Sequence, residues 1–95
     1  MSVYVVAQLR FTNAELYRRY QKQFFPVFRN SGGKLLAADE APAVLEGEWP
    51  LNKIVIMEFN EADAACQFLD SPEYQLISQD RLAGAETTTL LVQGL

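Results

Sequence analysis

The chain has 95 residues, 49% of them hydrophobic, and its 8 Lys and Arg against 12 Asp and Glu give a formal net charge of −4 at pH 7. A chain of this length makes one domain. The acidic balance, with its cations scattered, argues against nucleic acid and anionic membrane surfaces as partners, because both attract clustered basic residues. No apolar run approaches the roughly 20 residues of a membrane span, and the N-terminus lacks a signal-peptide pattern, so we expect a cytoplasmic protein.

The first third of the chain predicts a strand followed by a helix. Residues 3–11 predict the strand, because apolar side chains alternate along them and β-branched residues dominate their first half. Thr12 and Glu15 match a capping box, with Thr12 as the N-cap of the helix. We expect the helix to end at Gly32 and Gly33, since glycine tolerates the left-handed conformation found after helices.

The middle of the chain predicts two further strands. Residues 34–38 and 43–47 indicate one strand interrupted near Pro42, and the interruption fits a bulge or bend at a sheet edge. After a turn, residues 53–59 (KIVIMEF) form the clearest strand pattern in the chain.

The last third predicts two helical segments and a final strand. Asn60 can cap the first segment, whose apolar face includes Cys66, so we expect this single cysteine to be a buried, inert thiol rather than a nucleophile. Ser71 caps the second segment, which begins with a proline and ends at Gly84. Residues 87–93 predict the last strand.

This order of elements, βαββαβ with short connections, predicts an α+β fold of ferredoxin-like type. The four strands should form an antiparallel-type sheet with the first and third strands side by side in its centre.

Both faces of the predicted sheet are apolar. Residues 3–7, 54–57 and 90–92 carry apolar side chains on both faces of their strands, whereas the helices can cover only one face. A second copy of the sheet is the simplest cover for the other face, so we predict a homodimer.

Several motifs occur together in one order along the chain: residues 4–7, 32–33, 44–50 (VLEGEWP), 58–59, 71–74 and Arg81. Taken as an ordered set, they resemble the DUF1330 family of small bacterial proteins, within the dimeric α/β-barrel superfamily. The resemblance implies a dimeric α/β barrel but little about function. Fold analogy extends to cofactor-free monooxygenases and small lactone isomerases of that superfamily, and it is analogy only.

The chain contains no histidine. It therefore lacks the usual proton shuttle near neutral pH, the usual haem ligand and any Ser-His or Cys-His nucleophile pair. Its carboxylates are not spaced as a metal cage, and no glycine-rich phosphate loop is present, so we predict no metal and no cofactor. An enzyme built on this chain would use carboxylate, tyrosine, arginine or cysteine chemistry.

Arg10 and Glu58 are the first pair of candidate site residues. They lie toward the C-terminal ends of the two central strands, which this interpretation takes as parallel neighbours. The pair would then be a charged pair at the mouth of a ligand cleft or a salt bridge at the rim of the sheet.

Glu46 and Trp49 are candidates in the loop that precedes the third strand. Glu46 could serve as a general acid or base, with Trp49 as an aromatic wall beside it. Alternatively, Trp49 anchors the dimer interface, because tryptophan is large and amphipathic.

Tyr74 and Arg81 share one stripe of the last helix, seven residues and two turns apart. Arg81 could bind a carboxylate or phosphate group of a ligand through its fixed donor fork, or it could be held by helix carbonyls or an acidic neighbour.

Four aromatic side chains of the first helix recur at helical spacing: Tyr17, Tyr20, Phe24 and Phe28. They could line an apolar pocket between helix and sheet, or they could be plain core.

The leading interpretation is a small dimer that binds a small, partly apolar molecule in a cleft between sheet and helices. Arg10, Trp49, Tyr74 and Arg81 are its ligand-binding candidates. The alternative is a cofactor-independent oxygenase or isomerase that acts on a small aromatic or lactone-like substrate, with Glu58, Glu46 and Arg81 as catalytic candidates.

Overall fold

Four strands and three helices are formed by residues 2–95, which the computed structural model describes. In chain order they are β1 (Val3–Phe11), α1 (Ala14–Phe28), β2 (Lys34–Asp39), β3 (Lys53–Phe59), α2 (Ala62–Asp70), α3 (Pro72–Gly84) and β4 (Ala85–Gln93). This is the predicted α+β arrangement of ferredoxin-like type. No helix within residues 2–95 is long and apolar enough to cross a membrane.

The described strands form one sheet in the order β2-β3-β1-β4, and every neighbouring pair is antiparallel. The expectation that β1 and β3 are central neighbours is confirmed, but the expectation that they run parallel is wrong. The physical reason is connectivity: α1 carries the chain back so that β2 runs in the direction of β1, and the 13-residue connection after β2 (residues 40–52) then reverses the chain into β3.

Helix α1 begins one residue later than the capping-box pattern predicts. Asn13, not Thr12, is the N-cap, and its side-chain oxygen accepts the backbone N–H of Leu16 at 3.2 Å. The helix ends at Phe28, before Gly32 supplies its left-handed conformation with φ +82° in the following turn. The predicted glycine stop therefore lies in the turn rather than at the last helical residue.

Helix α3 begins as predicted, with Ser71 as N-cap accepting the backbone N–H of Tyr74 at 3.2 Å. Helix α2 does not begin as predicted, because its N-cap is Glu61 rather than Asn60 and makes no side-chain cap hydrogen bond. Cys66 is exposed, which overturns its expected burial. Ala65 and Phe68 define the buried side of α2, and Cys66 lies about 100° around the helix from Ala65.

Residues 43–47 form no strand, contrary to the prediction. Strand β2 already fills the edge of β3, pairing from Lys34 opposite Glu58 to Asp39 opposite Ile54, so the predicted strand cannot continue along β3 into residues 43–47. The irregularity in β2 lies between Leu35 and Ala37, earlier than the predicted break near Pro42.

Alternation along the strands gives the sheet two different faces. Directly opposed residues share a face, and the face that bears buried Val5 and Leu9 packs toward the helices. We call the other side the open face; its members within the described strands are Tyr4, Val6, Gln8 and Arg10 of β1, Lys34, Ala37 and Asp39 of β2, Ile54, Ile56 and Glu58 of β3, and Glu86, Thr88, Leu90 and Val92 of β4.

Helices α1 and α3 approach most closely at Gly84. Its carbonyl accepts the backbone N–H groups of Thr12 at 2.9 Å and Asn13 at 3.0 Å. A Cβ atom on Gly84 would lie 2.6 Å from the backbone nitrogen of Tyr17, so only glycine fits between the two helices.

Replacing Gly84 with alanine should lower the free energy of unfolding by about 2–3 kcal/mol, because the added methyl group meets backbone rather than a movable side chain. Urea unfolding measures the change. The matched control is Ala83→Ser, one residue earlier at an exposed position, which should cost less than about 1 kcal/mol. Equal losses in the two variants would contradict the assigned close approach.

Candidate functional site

A cavity of about 400 Å³ lies between the sheet and the helix pair α1 and α3. Its floor is formed by inward-facing residues of the strands, among them Ala7, Leu9 and Val55. Its size falls within the range of small-molecule binding sites. Helix α1 contacts the sheet near both of its ends, where Tyr17 stacks on Phe11 at 4.6 Å between ring centroids and Phe28 lies 6.1 Å from Phe59.

The roof of the cavity is aromatic. Tyr17, Tyr20 and Phe24 lie one after another along α1, with ring centroids 5.6 Å and 5.9 Å apart. From α3, the hydroxyl of Tyr74 lies 3.0 Å from that of Tyr20. Both interpretations of the α1 stripe hold in part, because Tyr17 and Tyr20 are buried in the core and also line the cavity, while Phe28 is core alone.

The two tyrosines of α1 remain neutral well above physiological pH. Burial is the main cause that raises the pKa of Tyr17 to about 12, and burial also raises the pKa of Tyr20. The positive charge of Arg81 lowers the pKa of both phenols, but less than burial raises it. The phenols therefore offer hydroxyl groups rather than charges to the cavity.

Polar side chains line one end of the cavity. Lys53 and Thr87 both lie directly opposite Leu9 in the sheet, one on each side of it, and all three line the cavity. Arg81 reaches the same cavity from the last turn of α3. Among the described residues, the Nε atom of Arg81 and the hydroxyl of Thr87 are buried side-chain atoms without a hydrogen-bond partner.

Lys53 is only 4% exposed, which is unusual for a lysine. Its Nζ lies 3.7 Å from a carboxylate oxygen of Glu40 and 5.0 Å from the ring centroid of Tyr17. Burial lowers the pKa of Lys53, and the attraction of Glu40 partly opposes that effect. Glu40 is itself held by a two-pronged hydrogen bond from Arg18, which keeps the pKa of its carboxyl below the usual value.

Of the four ligand-binding candidates named from the sequence, Tyr74 and Arg81 line the cavity, as do Tyr17, Tyr20 and Phe24 of the aromatic stripe. Sequence reasoning missed Lys53 and Thr87. A signal for both was present, because each is a polar residue at an inward-facing position of an alternating strand.

The proposed pair of Arg10 with Glu58 is wrong, because β1 and β3 are antiparallel. Glu58 lies opposite Tyr4, six residues from Arg10, and six residues of strand span roughly 20 Å. Arg10 instead bonds Glu86 of β4 at 2.5 Å, in an exposed ion pair.

The two loop candidates also lie outside the cavity lining. Trp49 donates its indole N–H to the side-chain oxygen of Gln8 at 3.0 Å, which sets it against the open face of the sheet. Glu46 is exposed in the loop before β3. Within residues 2–95, no group of three or more His, Cys, Asp or Glu side chains could hold a metal ion.

A family model described as "Domain of unknown function (DUF1330)" matches residues 2–95 of the chain. No curated protein matches the chain.

Solved structures share the fold at low sequence identity. A protein of unknown function from Rhodopseudomonas palustris aligns with a TM-score of 0.82 and 20% identity over 99% of this chain and 82% of that one. SnoaB, a cofactor-independent oxygenase from Streptomyces nogalater, aligns with a TM-score of 0.71 and 14% identity over 99% of this chain and 93% of that one. A dimeric protein of unknown function and ferredoxin-like fold from Bacteroides fragilis aligns with a TM-score of 0.61 and 13% identity over 98% of this chain and 96% of that one. At these identities the likeness establishes the fold.

Stability should fall as the pH rises above 10, because the unfolded phenols ionise there while the folded ones keep their protons. The stabilisation from a neutral Tyr17 is complete below pH 10.0 and is lost as the pH approaches its folded pKa of about 12. Between pH 10 and pH 12, the ionisation of Tyr17 in the unfolded chain lowers the free energy of unfolding by about 1.4 kcal/mol for each pH unit. Urea unfolding of wild type and Tyr17→Phe measures it: the variant should lose stability less steeply, and parallel curves would contradict the assignment.

Proposed function

The chain belongs to the DUF1330 family, and we propose that it works as a homodimer that binds a small, partly apolar molecule in the cavity between sheet and helices. The observation that carries this proposal is the preformed space of about 400 Å³ under an aromatic roof. Small-molecule sites are clefts of this volume, lined mainly by apolar and aromatic side chains with a few polar groups. The lining of this space, with its aromatic residues from α1 and the polar group formed by Lys53, Arg81 and Thr87, has that composition.

The cavity walls suit an apolar body with few polar groups. Tyr17, Tyr20 and Phe24 offer ring faces from above, and Ala7 and Val55 offer small aliphatic surfaces from below. Apolar surface of this kind contributes roughly 25 cal/mol for each Å² removed from water, without selecting a direction. Orientation would then come from the few polar groups at one end.

The homodimer is supported by the open face of the sheet. No helix of the described chain covers it, and Leu90 and Val92 remain 47% and 42% exposed there. Adjacent apolar side chains in open strands attract a partner surface. A second copy of the same sheet supplies an apolar surface of matching size, and Trp49 lies at that face through its bond to Gln8. A fold relative from Bacteroides fragilis is described as dimeric.

A cofactor-independent oxygenase or isomerase is the second candidate, and one observation favours it. Lys53 is a buried amine that lines the cavity, with its pKa lowered by burial, so it could exchange a proton with a bound substrate. The carboxylates first considered for this role, Glu46 and Glu58, do not line the cavity. Conversion of a bound compound, followed by mass spectrometry, would separate catalysis from binding.

Leu90→Asp should convert the dimer to a monomer at micromolar concentration, because it places a charge on the open face, directly opposite Val6 of the central strand β1. Light scattering after size exclusion measures the mass against the 10.7 kDa of one chain. The control is Leu76→Asp, the same change at a leucine that is 69% exposed on α3, which should remain dimeric. A monomeric wild type, or dissociation by both variants, would contradict the proposed interface.

Ala7→Phe should weaken binding in the cavity by tenfold or more, because the added ring occupies the space above the central strand. The probes are 2-naphthoate and its neutral analogue 2-naphthamide, followed by ligand-observed NMR titration. Ala41→Phe makes the same change in an exposed loop and should bind like wild type. If wild type binds neither probe, or if Ala7→Phe binds both unchanged, cavity binding is wrong.

A further inference from the structure

We propose that the molecule held in the cavity is a planar carboxylate, with its anionic group at the end formed by Arg81, Thr87 and Lys53 and its apolar body under the aromatic roof. This inference rests on the proposed binding function and narrows it to one chemical class.

Unpartnered polar atoms mark where the anionic group belongs. The Nε atom of Arg81 and the hydroxyl of Thr87 are buried, and neither has a hydrogen-bond partner within residues 2–95. Buried polar groups in proteins are nearly always hydrogen-bonded, and an unpaired charged donor is the most costly exception. Because a guanidinium can only donate, the missing partner of Arg81 must be an acceptor.

The charges around the cavity favour an anion over a neutral acceptor. Two cations, Lys53 and Arg81, and one carboxylate, Asp70, line it. Asp70 directly precedes the N-cap of α3 and Arg81 lies in that helix's last turn, so about ten residues of helix, roughly 15 Å, separate them along the axis. Arg81 forms no salt bridge within the described chain, whereas Lys53 already has Glu40. The end near Arg81 therefore carries uncompensated positive charge.

The tyrosine pair adds a further donor. Tyr20 and Tyr74 carry two hydroxyl hydrogens, but the contact between their oxygens, 3.0 Å long, uses only one of them. The second hydrogen is available to an acceptor in the cavity. Burial keeps the pKa of Tyr20 raised, so this phenol stays a donor at neutral pH. An amine ligand at the Arg81 end would meet that unpaired cation, while the carboxylate that lines the cavity, Asp70, lies at the other end of α3 and Glu40 is already taken by Arg18 and Lys53.

The shape of the cavity selects a flat body for the acid. Its roof is the row of rings from Tyr17 to Phe24, and its floor is a sheet row of small side chains, Val55, Ala7 and Thr89, in adjacent strands. A flat unsaturated or aromatic molecule can lie between two such surfaces and contact both. A carboxylate at its end would reach Arg81, whose planar fork matches the two carboxylate oxygens.

The test compares 2-naphthoate with 2-naphthamide, which differ in charge but hardly in shape. Wild type should bind the acid at least tenfold more tightly than the amide. Arg81→Met should abolish this preference, because it removes the charge while keeping much of the apolar stem. Arg29→Met makes the same charge change at an exposed position outside the cavity lining and should keep the preference.

Thr87→Val serves as the second variant if Arg81→Met fails to fold, since it only replaces the hydroxyl with a methyl group of similar size. It should reduce the preference for the acid by several-fold. Equal binding of acid and amide by wild type, or an unchanged preference in a folded Arg81→Met, overturns the carboxylate assignment and leaves cavity binding standing. Binding of neither probe overturns the proposed function itself, so the two failures are distinguishable.

Discussion

The contact between α1 and α3 is the constraint on which the rest of the structure depends. The carbonyl of Gly84 bonds the chain just before α1, and the absence of a side chain lets the helices meet backbone to backbone. A bidentate pair between Arg19 and Asp80 adds a second link between the same two helices. Side chains near the two ends of α1 reach the sheet, Tyr17 at Phe11 and Phe28 at Phe59, while the two helices stay packed on each other. The space left below them is the cavity, and its roof is the stripe of α1 that faces down.

Local patterns predicted the elements that local physics determines. The bounds of β1 and β3 are those of the alternating segments, because alternation and burial of one face are properties of the strand itself. Such a pattern does not determine whether two neighbouring strands run parallel or antiparallel. Treating β1 and β3 as parallel neighbours therefore misplaced Arg10 and Glu58, whose true positions follow from how the chain reverses after β2. The strand predicted at residues 43–47 is absent for a related reason, since Lys34 to Asp39 alone already pair along the edge of β3.

The same distinction explains which parts of the site could be found in advance. Tyr74 and Arg81 were found because residues seven apart on a helix share a side, and that side of α3 faces the cavity. The outcome for the α1 aromatics could not be decided from periodicity, since core and cavity wall demand the same spacing. Lys53 and Thr87 could have been found from the strand pattern, by taking a polar residue at an inward-facing position as a candidate site residue.

Polar residues at such positions carry an energetic argument of their own. Valine or leucine in place of Lys53 and Thr87 would fill the space beside Leu9 without desolvating an ammonium or a hydroxyl. The chain instead keeps a lysine there that is 4% exposed. It is paired with Glu40, which in turn accepts hydrogen bonds from Arg18. A sequence shaped for packing alone would not hold two cations beside an unfilled space. Departures from local rules of this kind concentrate where a protein meets a ligand, and here they lie at one end of one cavity. That coincidence is the physical support for the proposed binding site.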